Sequence, residues 1–210
     1  MIHLSFPRGL SVATLLVLLV GCDQPAWMSA AAGASDRTGP GTPVTRYGKT
    51  LELQGDAKHL GDPAPDFLLP DLTGKEIRLS SLRGKVVLVS VVPSLDTPVC
   101  ANQTHRFNEF APDLGPDVAV LTVSADSTFD QARYCKVNDV RNLIMLSDAQ
   151  RLAFGQAYGV RIAGKTILAR AVFVIDRKGV IRHIELVGEQ TNEPDYAAAL
   201  RAVHRLREEK

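Results

Sequence analysis

The chain has 210 residues, 45% of them hydrophobic, and a formal net charge of +1. That length and apolar content suit one well-cored α/β domain and are too small for two generous ones. Lys and Arg are scattered and never interleaved with aromatics, so no nucleic-acid partner is expected. Three cysteines are too few for a disulfide scaffold, and the five histidines have no metal-ligand spacing to one another or to the cysteines. Neither a metal nor another cofactor is expected.

At the N-terminus, Arg8 precedes an apolar run from Leu10 to Val20 that is short for a bilayer span and ends in Leu19-Val20-Gly21-Cys22. This tetrapeptide resembles the bacterial lipobox, in which the signal is cut before a cysteine that is then lipidated. The competing readings are an ordinary cleaved signal with a chance cysteine, or a wrongly chosen start codon. Asp23, next in line, resembles an inner-membrane retention signal. Lipidation at Cys22 would make this a membrane-anchored lipoprotein of the cell envelope, facing the periplasm or exterior; the alternative is a soluble periplasmic protein. From Asp23 to Pro43 the chain is rich in Ala, Gly, Ser, Thr and Pro, with Trp27 and Met28 its only large apolar side chains, and reads as a disordered tether. The expected division is a signal peptide over 1–21, an anchor and flexible tether over 22–45, and one domain over 46–210.

Leu51-Glu52-Leu53 reads as a strand entering a hairpin turn at Gln54-Gly55-Asp56-Ala57. A loop at Gly61 to Pro65 leads to a short strand, Asp66 to Leu69. A turn at Thr73-Gly74-Lys75 precedes a strand from Ile77 to Leu79 and a helical turn over Ser80 to Arg83. Val86 to Val92, an apolar β-branched run between Gly84 and Pro93, reads as a buried strand. A helix over Pro98 to Phe110, a strand over Val118 to Val123 and a short helix around Ser127 to Tyr134 follow. Then come a strand over Leu143 to Leu146 and a helix over Ala149 to Ala157. Strands Ala171 to Ile175 and Val180 to Val187 pair across Asp176-Arg177-Lys178-Gly179, and Pro194 opens a closing helix. This order predicts an α/β, thioredoxin-like fold: a central mixed sheet with helices on both faces and an N-terminal β-hairpin.

The most informative stretch is Pro93-Ser94-Leu95-Asp96-Thr97-Pro98-Val99-Cys100. Thr97 suits the N-cap and Pro98 the first helical position, which places Cys100 third in the helix. Unpaired N–H groups and the positive end of the helix dipole favour a thiolate there, lowering the thiol pKa and making a nucleophile. The bland reading is a small buried core cysteine. Thioredoxin-fold oxidoreductases open this helix with Cys-x-x-Cys, but here Thr97 holds the first position. Cys100 therefore lacks a neighbouring thiol and needs another oxidisable substrate, which peroxide fits.

Pro-x-x-x-Thr-x-x-Cys, present as Pro93, Thr97 and Cys100, resembles the active-site pattern of the peroxiredoxins. Ser124-Ala125-Asp126, Phe129 to Cys135, Gln156 to Val160, Ala169 to Asp176 and Glu193 to Leu200 follow in the order of the bacterial thiol peroxidases, the atypical two-cysteine branch. The likeness runs from about Lys49 to about Arg205. It implies a thiol-specific peroxidase that reduces hydrogen peroxide and organic hydroperoxides. Cys100 would be the peroxidatic cysteine, oxidised to a sulfenic acid, and Cys135 the resolving cysteine, closing a Cys100–Cys135 disulfide within the chain. Thioredoxin or a thioredoxin-like protein would reopen it. Thr97 would hydrogen-bond the peroxide, Pro93 would shield the site from water, and Arg170 would stabilise the thiolate and bind peroxide oxygen. A homodimer is also implied.

Two departures from the family pattern stand out. The Gly159 to Arg170 segment, which borders the family's pocket, is shorter, and Ser127-Thr128 replaces Leu-Pro. A disulfide needs Cα atoms within about 7 Å, so the helix around Cys135 is expected to unwind on oxidation, with Tyr134 and Phe129 losing packing. The rival functions are an envelope-tethered thiol–disulfide oxidoreductase and a non-enzymatic redox sensor or holdase.

Overall fold

The computed structural model describes residues 33–209, so Cys22, the signal segment and the start of the tether lie outside the described residues. A hairpin comes first: β1 (Val44–Arg46) pairs antiparallel with β2 (Lys49–Leu51). Its turn is Tyr47-Gly48, both at positive φ (51° and 72°). Glycine adopts that conformation without strain, which is what a two-residue hairpin turn demands. The hairpin turn expected at Gln54 to Ala57 is not there. That segment instead follows β3 (Leu53–Gln54), whose partner is the distant Arg161–Ile162. Local turn chemistry at Gly55 could not reveal so remote a partner.

The folded body also starts before the expected boundary at residue 46. Ser35 bridges Leu186, the Thr38 hydroxyl donates to the Tyr158 carbonyl at 2.7 Å, and Thr42 and Val44 are buried. These contacts are made by backbone and hydroxyl groups, which leave no apolar periodicity to read.

A second hairpin, β4 (Leu68–Pro70) with β5 (Glu76–Arg78), starts two residues later than Asp66, because the Asp66 carboxylate accepts from the Ser80 N–H (2.8 Å) and Ser80 hydroxyl (3.0 Å). One turn of 3₁₀ helix, Leu79–Leu82, leads into the main sheet. Its members are β6 (Val86–Val91), β7 (Val118–Ser124), β8 (Ile144–Ser147), and, after the short β9 (Arg161–Ile162), β10 (Ala171–Ile175) and β11 (Ile181–Leu186). The order is β11-β10-β6-β7-β8, parallel across β6, β7 and β8 and antiparallel around β10. The sheet is mixed, as expected.

Side chains alternate across a strand, so the sheet has two apolar faces. Val86, Leu88, Val120, Val172 and Val174 meet Phe107 of α1 (Pro98–Phe110) and Tyr196, Ala199, Val203 and Leu206 of α4 (Tyr196–Glu208). On the opposite face, Val87, Val89, Leu121 and Phe173 meet Phe67 together with Phe154 and Tyr158, whose rings stack at 4.2 Å around the short α3 (Ala153–Ala157). That helix starts four residues later than Ala149, after Leu152 at positive φ, with the Asp148 carboxylate accepting from the Phe154 and Gly155 N–H groups. The remaining helix, α2 (Thr128–Val137), packs on β8 through a third cluster that joins Val92, Leu95, Cys100, Cys135, Val140 and Met145.

Candidate active site

β6 is buried over its full length and delivers the chain to Pro93 at the end of the sheet. Thr97 occupies the N-cap position of α1 with extended backbone, Pro98 is the first helical residue, and Cys100 lies in the first turn. The Thr97 hydroxyl does not cap the helix. It donates to the Ser94 carbonyl at 3.3 Å. The loop ahead of the helix is held from β7: the Asp126 carboxylate accepts from the Ser94 hydroxyl and the Leu95 N–H, both at 2.9 Å. Asp126, two residues ahead of α2, thus ties the approach to α1 to the approach to α2.

Cys100 is fully buried at 0% exposure, and Arg170, 70 positions away, is 1% exposed. Arg170 Nη2 donates to Cys100 Sγ at 3.4 Å, and Nη1 donates to Gln103 Oε1 at 2.7 Å. Nε and Nη2 also donate to the Gln190 carbonyl at 3.2 and 3.1 Å. Gln103 is oriented in turn by donating to the Ser90 hydroxyl at 2.8 Å. The oxygen acceptors are all neutral, amide or backbone carbonyl. A carboxylate partner would cancel the guanidinium charge; amide and carbonyl partners hold it in place and leave its field for the sulfur.

A cavity of about 180 Å³ lies outside this pair, lined by Pro93, Thr97, Pro98, Val99, Arg170, Gln190 and Thr191, with Arg46 and Tyr47 from the hairpin. Cys100 itself is not in its wall, whereas Arg170, whose guanidinium bonds the sulfur, is. Of the Gly159 to Arg170 segment only Arg170 lines the cavity, and the hairpin contributes Arg46 and Tyr47.

Cys135 is 6% exposed in the last turns of α2 and is not bonded to Cys100, although both belong to one apolar cluster. Burial pushes its thiol up to about 11. Such a group is protonated near neutrality and a poor nucleophile while the helix is closed. Tyr134 joins the two helices by donating from its hydroxyl to the Ala101 carbonyl at 3.4 Å. Phe129, expected to be packed, is 76% exposed. It lies on the outward side of α2 and has little packing to lose.

Pro93, Thr97, Cys100 and Arg170 therefore converge, with Cys135 close behind them. Sequence reasoning missed Gln103, Gln190 and Asp126, and only Asp126 stands in one of the family-like motifs. Gln103, three residues after Cys100, sits on the same helix face by its spacing, a signal that was available. Nothing local marks Gln190.

The redoxin family profile matches residues 59–200. A thiol peroxidase of Bacillus subtilis (strain 168) is 44% identical over 163 residues, covering 78% of this chain and 97% of its own. One from Oceanobacillus iheyensis is 45% identical over 159 residues, covering 75% and 95%. Among solved structures, a peroxiredoxin-like protein from Aquifex aeolicus superposes with a TM-score of 0.73 at 34% identity, over 82% of this chain and 98% of that one. A thiol peroxidase from Chromobacterium violaceum, at 21% identity and a TM-score of 0.70 over 80% and 98%, shares the fold. With the thiol, the guanidinium and the fold in agreement, the chain belongs to the redoxin family, within its thiol peroxidases.

Proposed function

We propose that Cys100 is the peroxidatic cysteine, Cys135 the resolving cysteine, and Arg170 and Thr97 the groups that bind the peroxide, with Pro93 closing the site against water. The Cys100 thiolate attacks the distal oxygen of a hydroperoxide, breaking the O–O bond. Sulfur becomes a sulfenic acid and the leaving alkoxide or hydroxide takes up a proton. Arg170 stabilises both the attacking anion and the charge that grows on the leaving oxygen. The Cys135 thiolate then attacks the sulfenic sulfur, expelling hydroxide, which is protonated to water, and forming a disulfide. A dithiol protein of the thioredoxin type returns two electrons by exchange.

The single observation that carries this reading is the hydrogen bond from the buried guanidinium to Cys100. The substrates are hydrogen peroxide and organic hydroperoxides, and the working unit is a homodimer, as in the family it resembles. At the N-terminus, Leu19-Val20-Gly21-Cys22 supports lipidation at Cys22 and an envelope location, with the membrane as a partner only through that anchor. Intact mass of membrane-extracted protein should show a chain starting at acylated Cys22; a start at Met1 would end that reading.

The enzymatic test is turnover of hydrogen peroxide and cumene hydroperoxide with thioredoxin and its reductase. Loss of turnover in Cys100→Ser is expected, and Cys135→Ser should stop after one sulfenic acid per chain. Sustained thioredoxin-dependent turnover by Cys135→Ser would remove the resolving role.

A further inference from the structure

We propose that Gln190 is a positioning residue for the active-site guanidinium, its side-chain amide replacing the last rung of the β10–β11 ladder. The proposal rests on the assignment of Cys100 as the peroxidatic thiolate. The antiparallel register runs from Ile175↔Ile181 to Ala171↔Leu186, so the next pair would be Arg170 with Val187. Half of that pair forms, the Val187 N–H donating to the Arg170 carbonyl at 3.0 Å. The other half is bridged. Gln190 Oε1 accepts from the Arg170 N–H, and Gln190 Nε2 donates to the Val187 carbonyl at 2.6 Å. One amide therefore occupies the place of a backbone hydrogen bond, and it opens the ladder at the residue whose side chain must meet the sulfur.

The same residue grips the other end of Arg170. Its carbonyl accepts from Nε and Nη2, while Gln103 takes Nη1, so four hydrogen bonds from Arg170 end on two neutral glutamines. Gln190 is 4% exposed and is itself held, its N–H donating to the Thr45 carbonyl at 2.8 Å. Its neighbour Glu189 clamps the hairpin, accepting from the Thr45 hydroxyl (2.9 Å) and the N–H groups of Tyr47 (3.0 Å) and Gly48 (3.1 Å). A backbone rung in place of the amide would draw Val187 against Arg170 and leave the N–H of Arg170 without its present register. A short or apolar side chain at 190 would leave that N–H and the Val187 carbonyl buried and unpaired, which native structures avoid. The backbone of Arg170 would then shift, and the guanidinium with it.

The test is Gln190→Met, similar in length but unable to bridge. Thiolate absorbance, taken as the difference from Cys100→Ser, is followed against pH beside the rate of sulfenic acid formation. The titration midpoint should rise, and the rate of sulfenic acid formation measured at a pH below both midpoints should fall with the thiolate fraction, about tenfold for each unit of rise. Thioredoxin KM should not move. Gln190→Glu is the second variant: it keeps an acceptor for the Arg170 N–H but sets a carboxylate oxygen against the Val187 carbonyl, breaking that half of the bridge, and the midpoint should rise again. A folded Gln190→Met with wild-type midpoint and rate overturns the proposal, as does a wild-type midpoint in Gln190→Glu should the first variant not fold. If Cys100→Ser keeps full activity, the assignment of Cys100 fails and this inference falls with it. If Cys100→Ser is dead and the Gln190 variants match wild type, only the role of Gln190 is lost.

Discussion

Thr97 shows how one side chain divides between structure and chemistry. It stands at the N-cap position, but its hydroxyl bonds to Ser94 rather than to the helix. A capping hydroxyl is worth about 1 kcal/mol of stability; this one is not spent that way. Thr97→Val should therefore leave the melting temperature nearly unchanged. Removing a donor to the reacting oxygens costs on the order of a hundredfold in rate, and a loss of that size in kcat/KM for peroxide is expected. Calorimetry and peroxide kinetics on the same preparation decide it. A clear drop in melting temperature with unaltered kinetics would make Thr97 purely structural.

Among the elements, α2 holds the second half of the chemistry. Ser127 and Asp130 cap it reciprocally, the Ser127 oxygen accepting from the Asp130 N–H at 3.1 Å and its hydroxyl donating to the Asp130 carboxylate at 2.7 Å. The pair stabilises the closed helix. Ser127→Ala should remove about 1 kcal/mol from that closure, raising the open population and the rate of disulfide formation roughly fivefold, readable by acid-quenched mass spectrometry. Sulfenic acid formation should be unaffected. A slower disulfide step in this variant would mean that the closed helix is the reactive form.

The pH profile of that step gives an independent check. Burial holds Cys135 at about 11 in the closed helix against an ordinary 9.0. Ionisation favours attack, so the rate should climb with pH up to about 11, where the closed helix that dominates the population titrates. A plateau near 9.0 would mean that the helix is already mostly open. Protection of residues 128–137 from hydrogen exchange should likewise fall on oxidation, as the helix unwinds and the hydrogen bond from Tyr134 to the Ala101 carbonyl breaks.

At the scale of the whole molecule, β11 and α4 flank a buried group, Glu185, and a half-buried one, His183, that titrate in opposing senses. Burial, with the Asp195 carboxylate adding to it, pushes Glu185 up to about 7, although the Asp195 N–H bond pulls the other way. Burial, with Arg205 and Arg201 adding to it and Asp195 opposing, pushes His183 down to about 4. For Glu185 the folded state binds the extra proton, so its contribution to stability is lost as pH rises from 4.5 to about 7. For His183 the unfolded state binds the extra proton, so its contribution is gained as pH rises from about 4 to 6.5. The two slopes oppose each other. Relative to wild type, Glu185→Gln should gain stability as pH rises through its window and His183→Gln should lose it. Urea unfolding across that range reads both, and parallel profiles for the three proteins would show that neither group is buried in this way.

The sequence alone determined what depends on local rules. The apolar β-branched run at Val86 announced a central strand, because a strand buried on both faces needs no alternation. Thr97, Pro98 and Cys100 placed a thiol in the first turn of a helix, because capping and proline preferences act within a few residues. Tertiary structure decided the rest. The hairpin turned at Tyr47-Gly48, and the segment read as a turn at Gln54 went to β9, because pairing across more than a hundred residues leaves no mark on its own neighbourhood. Phe129 proved exposed, since helix periodicity cannot say which side a short helix turns inward. Gln190, in a loop, left no local signal, and the spacing of Gln103 from Cys100 could show only a shared helix face. A neutral amide reads as an ordinary polar residue until the chain folds and sets it against a buried guanidinium.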